Sequence, residues 1–268
     1  MRADIKEYQA VEEAAMKFVT FNIRCDHGQD GDNCFDNRKS LILRKFAQEK
    51  PDIICFQEVL PHVALWLKNN LTDYLVFGCG RGVKLDSEQM TIAIRRDSYQ
   101  LLEMHTYWLS ETPDVPGSIY PGQSSCPRIC TDTVLMEDAS GQIFRVLNTH
   151  LDHVSAEARK LGLMQVLKYT PSVKAFADAP MILAGDFNAE PDSEEMAPLF
   201  ENPDLTVATL DTGITYHGYG MAPHPTQIDY IVTRGALHCG KAQKWEDIED
   251  GVYLSDHYPV CCEITFEQ

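Results

Sequence analysis

The chain has 268 residues, 44% of them hydrophobic and 24% charged, proportions of a globular protein that exclude disorder, collagen and coiled coil. Asp and Glu number 40 against 23 Lys and Arg, a net charge of −17. Holding a long DNA duplex by unspecific charge takes many basic contacts to phosphate, so this composition excludes that mode of binding. No apolar run approaches the roughly 18 residues of a membrane span. The polar, acidic N-terminus has no signal-peptide core, which predicts a non-secreted, cytoplasmic protein with no membrane partner.

The acids are unevenly spread. No Lys or Arg occurs from Ala175 to Thr233, a stretch with ten acids. This reads either as a solvated acidic surface or as a region whose acids bind metal. Nine cysteines without a secretion signal read as reduced thiols, mostly small buried side chains. Neither Cys126–Cys130 nor Cys261–Cys262 has the partner pair that a structural zinc site needs.

Residues 1–15 read as a helical N-terminal extension and residues 16–268 as a single domain, because no linker, repeat or low-complexity run interrupts them. Short apolar or β-branched runs bounded by turn residues predict ten strands. In chain order these are Lys17–Ile23, Asp52–Phe56, Tyr74–Phe77, Met90–Arg95, Gln100–Leu109, Cys130–Glu137, Ile143–His150, Met181–Ala184, Gln227–Val232 and Tyr258–Phe266. Helices are expected between them. Asn37–Lys50 carries Leu41, Ile42, Lys45 and Phe46 on one face and stops before Pro51. His62–Asn70 follows Pro61, and Ser155–Tyr169 opens on Ser155 as N-cap. Ser193–Phe200 is shorter. Ten strands with few helices predict an α/β fold in which two packed sheets are flanked by helices, rather than a regular βαβ repeat.

Polar residues stand where these strands end. Asn22 closes Phe18-Val19-Thr20-Phe21, and Gln57-Glu58 closes Ile53-Ile54-Cys55-Phe56. Asn148-Thr149-His150-Leu151-Asp152-His153 follows an apolar run. Gly185-Asp186-Phe187-Asn188 does the same, Asp229 lies inside Ile228-Asp229-Tyr230-Ile231, and Asp256-His257 precedes the last strand. A lone acid or histidine of this kind more often satisfies a turn. Six together are different, because desolvated carboxylates need a cation or hydrogen bonds to compensate them. Hard oxygen ligands of this type suit Mg²⁺, which keeps its waters and favours phosphate substrates.

The series TFNIR, QEV, NTHLDH, GDFN, IDYI and SDHYP resembles the endonuclease/exonuclease/phosphatase superfamily, with order and spacing matching from Lys17 to Phe266. The segment Tyr107-Trp108-Leu109-Ser110-Glu111-Thr112-Pro113 is similar to a signature of a bacterial branch. The resemblance implies a DNase I-like, four-layer α/β sandwich of two mixed sheets covered by helices. It implies a metal-dependent phosphoric ester hydrolase using Mg²⁺, with Mn²⁺ as the alternative ion. Glu58 matches the principal metal ligand and Asn22 the amide that supports it, with Asp256 placed to ligate or orient metal. Asp186 matches the residue that deprotonates the attacking water, Asn188 the amide on the phosphate, and Asp229 and His257 the paired acid and imidazole. His150 matches a second phosphate-facing histidine. Glu88 is either the glutamate that backs it or an exposed loop acid. Arg128 and Arg159 are either substrate-binding or held by local carboxylates.

Two substrate classes follow: a small phosphorylated metabolite, or single-stranded nucleic acid and short oligonucleotides. A non-catalytic binding module is a third reading, which the complete acid–base set opposes. Nucleic-acid binders show basic stripes with interleaved aromatics. The sparse Lys and Arg therefore favour the small substrate. The stretch Asp114–Pro127, longer than a simple strand connection, is expected to shape the pocket.

Overall fold

The computed structural model describes residues 15–169 and 174–267; the expected N-terminal extension lies, except for residue 15, outside them. The first sheet contains β1 (Met16–Asn22), β2 (Ile53–Val59), β3 (Tyr74–Phe77), β4 (Gln89–Arg95), and later strands that return to it. The second is built on β5 (Tyr99–Trp108), β6 (Ile129–Glu137), β7 (Ile143–His150), β8 (Met181–Asp186), β9 (Leu205–Val207) and β10 (Asp229–Arg234). The chain then re-enters the first sheet through β11 (Leu237–Cys239), β12 (Gln243–Lys244) and, after the small hairpin of β13 (Ile248–Glu249) and β14 (Val252–Tyr253), β15 (Val260–Phe266).

Strand order is β11-β15-β1-β2-β4-β3 in one sheet, with β12 also on β15, and β5-β6-β7-β8-β10-β9 in the other. Each has one parallel pair at its centre, β1 with β2 and β7 with β8, and antiparallel neighbours on both sides. The two sheets thus repeat one plan. Helices α1 (Phe35–Glu49) and α2 (Pro61–Asn70) cover the first sheet, while α3 (Ala156–Lys168) and the single turn α4 (Ala197–Phe200) cover the second. This is the expected four-layer sandwich. The ten expected strands all form, within a few residues at their ends. The five strands not expected are two or three residues long, too short to show a period of two.

Strand alternation sorts the side chains into layers. On β1, Val19 and Phe21 face the helices, whereas Met16 and Phe18 face the other sheet. Thr20 and Asn22 continue that inner row. The same change from apolar to polar along the inner face occurs on β2 (Ile53, Cys55, then Gln57), β7 (Phe144, Val146, then Asn148 and His150), β8 (Ile182, Ala184, then Asp186) and β10 (Ile231, then Asp229). One end of the gap between the sheets is therefore a dry core and the other is polar. Asn148 closes the boundary: its amide donates from β7 to the carbonyls of Phe56 (2.8 Å) and Thr91 (3.0 Å), and its oxygen accepts from Gln57 (2.8 Å). One buried side chain thus ties the second sheet to two strands of the first.

Candidate active site

The polar end of the gap opens into a pocket of about 460 Å³. A hollow of about 570 Å³ beside α1, lined by Leu43, Phe46, Tyr74 and Arg95, is larger. It gathers no group of acids and histidines, so the chemistry belongs to the smaller one.

Glu58 enters from a bulge in β2 with φ of +64°, a conformation that costs a non-glycine residue about 1–3 kcal/mol and persists where surrounding contacts hold it. Its Oε1 accepts from the Asn22 amide at 3.0 Å and its Oε2 from the Cys25 N–H at 2.6 Å. Asn22 also donates to Asp186 Oδ2 at 3.0 Å, and its oxygen accepts from the Arg24 N–H at 3.0 Å. Asn22 is therefore a brace between two carboxylates. Asp256 lies beside them, with Oδ1 on the Ser255 hydroxyl and Oδ2 3.6 Å from Arg24. Burial raises its pKa, and Glu58 adds to the rise against the pull of His257 and Arg24.

Asp186 occupies the centre. Gly185 before it has φ of +150°, and a Cβ there would come within 1.8 Å of the Thr149 carbonyl, so only glycine lets β8 lie this close to β7 at the site. Asp186 accepts from the Asn188 N–H at 2.9 Å. Burial first, and then the charge of Asp229, raise its pKa to about 7, against His257 and these hydrogen bonds. On one side His257 Nδ1 donates to Asp229 Oδ2 at 2.8 Å, and Nε2 lies 3.8 Å from Asp186. Burial opposes the charged ring, but Asp229 outweighs it and the pKa rises to about 10. On the other side His150 Nε2 accepts from the Asn188 amide at 2.9 Å and lies 3.4 Å from Asp186. Burial, with Arg128 and Arg81 nearby, lowers its pKa well below the usual value. Its buried Nδ1 has no hydrogen-bond partner.

Glu88 is buried, unlike an exposed loop acid, but it does not back His150. It binds Arg81 Nη2 at 2.6 Å. Arg128 lines the pocket with Nη2 on His153 at 2.7 Å and Nε 3.6 Å from Asp152 Oδ1, so the local carboxylate offered as its alternative partner is present, while Nη1 has no hydrogen-bond partner. Arg159 is not brought in. Its Nε and Nη2 hold Glu195 at 2.8 and 2.6 Å and its Nη1 donates to the Asp152 carbonyl, which fixes α3 to a neighbouring loop. The long connection before β6 contributes Cys126 to the wall and is anchored where Ser124 donates to Asp152. Arg81 was not expected from the sequence. Its only local signal is its place between Gly80 and Gly82, where added Cβ atoms would collide with Asp86 and the chain must turn tightly.

Clustered carboxylates, an acid–histidine pair and guanidinium groups around one pocket suit phosphate chemistry, and relatives agree. The profile of the Endonuclease/Exonuclease/phosphatase family matches residues 19–257. The chain belongs to this family. An uncharacterized protein of Acanthamoeba polyphaga mimivirus is 31% identical over 257 residues, covering 87% of this chain and 92% of its own. An endonuclease/exonuclease/phosphatase from Bacteroides vulgatus superposes with a TM-score of 0.88 and 28% identity over 95% of this chain and all of its own. The mannosyl-6-phosphatase of Bacteroides thetaiotaomicron gives 0.84 and 25% over 94% of this chain and all of its own. The endonuclease/exonuclease/phosphatase family hydrolyses phosphoric esters and generally depends on a divalent metal. This member is accordingly a phosphoric ester hydrolase. Among the described residues no helix is long and apolar enough to cross a membrane.

Proposed function

We propose that this protein is a Mg²⁺-dependent phosphoesterase of small phosphorylated compounds. The observation that carries this reading is the pair of guanidiniums, Arg81 and Arg128, that line a pocket shared with Asp186 and His150; each keeps a buried Nη1 without a hydrogen-bond partner, while Arg128 Nε lies 3.6 Å from Asp152. Buried cationic donors left unpaired are costly unless a ligand completes them, and a phosphate does so in a bidentate way. The pocket has the size of a small-molecule site. Around it the molecule carries a net charge of −17, which opposes a long polyanion far more than a singly phosphorylated compound. The likeness to a mannosyl-6-phosphatase at 25% identity points the same way.

The donor set fits the ion. Glu58 and Asp256 are carboxylates braced by an amide and a hydroxyl, and hard oxygens of this kind suit Mg²⁺ or Mn²⁺. They would hold it, and bound Mg²⁺ would supply Lewis-acid polarisation of the phosphoryl group. Asp186, fixed by Asn22 and the Asn188 N–H, accepts the proton of the attacking water as the new P–O bond forms and the bond to the leaving oxygen breaks. His257, kept cationic by Asp229, donates through Nε2 to a phosphoryl oxygen. Neutral His150, held against Asp186 and Asn188 through Nε2, and the Arg128 guanidinium add polar and positive groups around the same charge.

Hydrolysis of a hexose phosphate, p-nitrophenyl phosphate, bis-p-nitrophenyl phosphate and a single-stranded oligonucleotide, each with Mg²⁺, Mn²⁺ or EDTA, tests this reading. Hydrolysis fastest on a small phosphate, abolished by EDTA and restored by Mg²⁺, is the expected result. Faster turnover of the oligonucleotide would establish the nuclease reading instead.

A further inference from the structure

We propose that Cys25, His27 and Glu88 form a second metal site, for Zn²⁺, in the wall of the pocket that Asp186 also lines. The three side chains come from separate parts of two loops, and one ligand atom from each lies within 4.8 Å of the other two. Cys25 Sγ and His27 Nε2 are 3.1 Å apart. A tetrahedral zinc with Zn–S of about 2.3 Å and Zn–N of about 2.0–2.1 Å places such a pair at about 3.6 Å, so a small adjustment of the exposed His27 ring would admit the ion. Glu88 Oε1 is on Arg81, which leaves the other carboxylate oxygen for the cation.

The ligand chemistry separates this site from the first. Glu58 and Asp256 offer oxygen alone, whereas a thiolate with an imidazole and one carboxylate selects Zn²⁺ over Mg²⁺. Three protein ligands leave one tetrahedral position open to water or to a substrate oxygen, the pattern of reactive rather than structural zinc sites. All three residues line the same pocket as Glu58 and Asp186, so the open position faces the space where a substrate sits. The Cys25 thiol proton leaves to solvent as the ion binds. The backbone of Cys25 already carries one contact to the other site, its N–H on Glu58 Oε2.

This proposal concerns binding and does not rest on the phosphoesterase reading. Co²⁺, the spectroscopic substitute for Zn²⁺, is titrated into the full chain in excess Mg²⁺ without substrate. One equivalent is expected to give a near-ultraviolet thiolate-to-cobalt charge-transfer band that Zn²⁺ displaces. Cys25→Ser should remove the band, and Cys126→Ser, which alters a pocket cysteine outside the cluster, should keep it. His27→Gln, at an exposed position whose loss does not threaten the fold, should weaken Co²⁺ binding at least about 10-fold. No band in the wild-type chain, or a band that survives Cys25→Ser, would overturn the site.

Discussion

The two sides of the pocket meet at Asp186 and treat the same residue type in opposite ways. His257 and His150 are both buried and lie 3.8 and 3.4 Å from one carboxylate oxygen. His257 has Asp229 on its far nitrogen and is held cationic; His150 has Arg128 and Arg81 as neighbours and is held neutral. Burial disfavours the charged ring in both cases; Asp229 overrides it at His257, whereas Arg128 and Arg81 add to it at His150. One histidine can then act as a charged donor at neutral pH and the other as an uncharged one, without any difference in their own chemistry.

Replacing Asp186 by Asn takes the shared carboxylate away from both sides. Hydrolysis should fall by about 10³-fold or more, within the range of lost general-base catalysis, with an unchanged circular dichroism spectrum. Turnover near the wild-type rate would remove Asp186 from its role. Asp229→Asn makes the His257 side resemble the His150 side, a buried ring without a charged partner. A loss of about 10²-fold is expected, and the alkaline limb of the pH–rate profile should move to lower pH because the raised pKa of His257 falls. An unshifted limb would show that Asp229 does not hold the charge. The sign for stability follows from the same pair. The His257 contribution is complete below its unfolded pKa of about 6.5 and is lost as pH rises towards about 10.

Arg128→Met alters the other side. Asp152 keeps its hydrogen bonds from Ser124, Val154 and Ser155, so the loop should survive while KM for a small phosphate rises about 10- to 100-fold, as for the loss of a charge-assisted hydrogen bond. The His150 ring should also titrate at higher pH, which NMR of its ring protons would detect. The smallest effect lies behind the His257 side. His217 stacks on Tyr258 at 4.0 Å, and its pKa is lowered to about 4 by burial, then by the charge of His257. A neutral buried histidine gives its full stability above about pH 6.5 and loses it as pH falls towards 4, because the unfolded chain takes up the proton first. His217→Phe should flatten this acid loss, read as a difference of a few degrees or less in melting temperature between pH 7.5 and pH 5 (~2–4 °C per kcal/mol).

The sequence already displays the side of the pocket built from strand ends. Asn22, Glu58, His150 and Asp186 each close an apolar run, Asp229 lies inside one, and strand alternation sends Asn22, Asp186 and Asp229 to the inner face. The loop-built side is far less legible. Arg81 and Glu88 pair across a tight turn, Cys25 meets Glu88 from a loop more than 60 residues away, and nothing in local pattern reports either meeting. The resemblance offered Glu88 as the glutamate behind His150, but its carboxylate pairs with Arg81 instead. Arg159 follows a motif in sequence, yet its helix turns the side chain towards Glu195. The short edge strands β9 and β11 to β14 escaped for a related reason: their pairing comes from neighbours already in place.

Asn148 is best understood as a registration pin between two parts of one instrument. Glu58 travels with the first sheet, and His150, Asp186 and Asp229 travel with the second, so the spacing of Glu58 and Asp186 is set across the joint that this amide spans together with Asn22. A slip of about 1 Å there would be transmitted undiminished to the reacting atoms, where a misplacement of that size can cost about 10²-fold in rate. The tolerance of the pocket is thus held in part by a residue outside its lining.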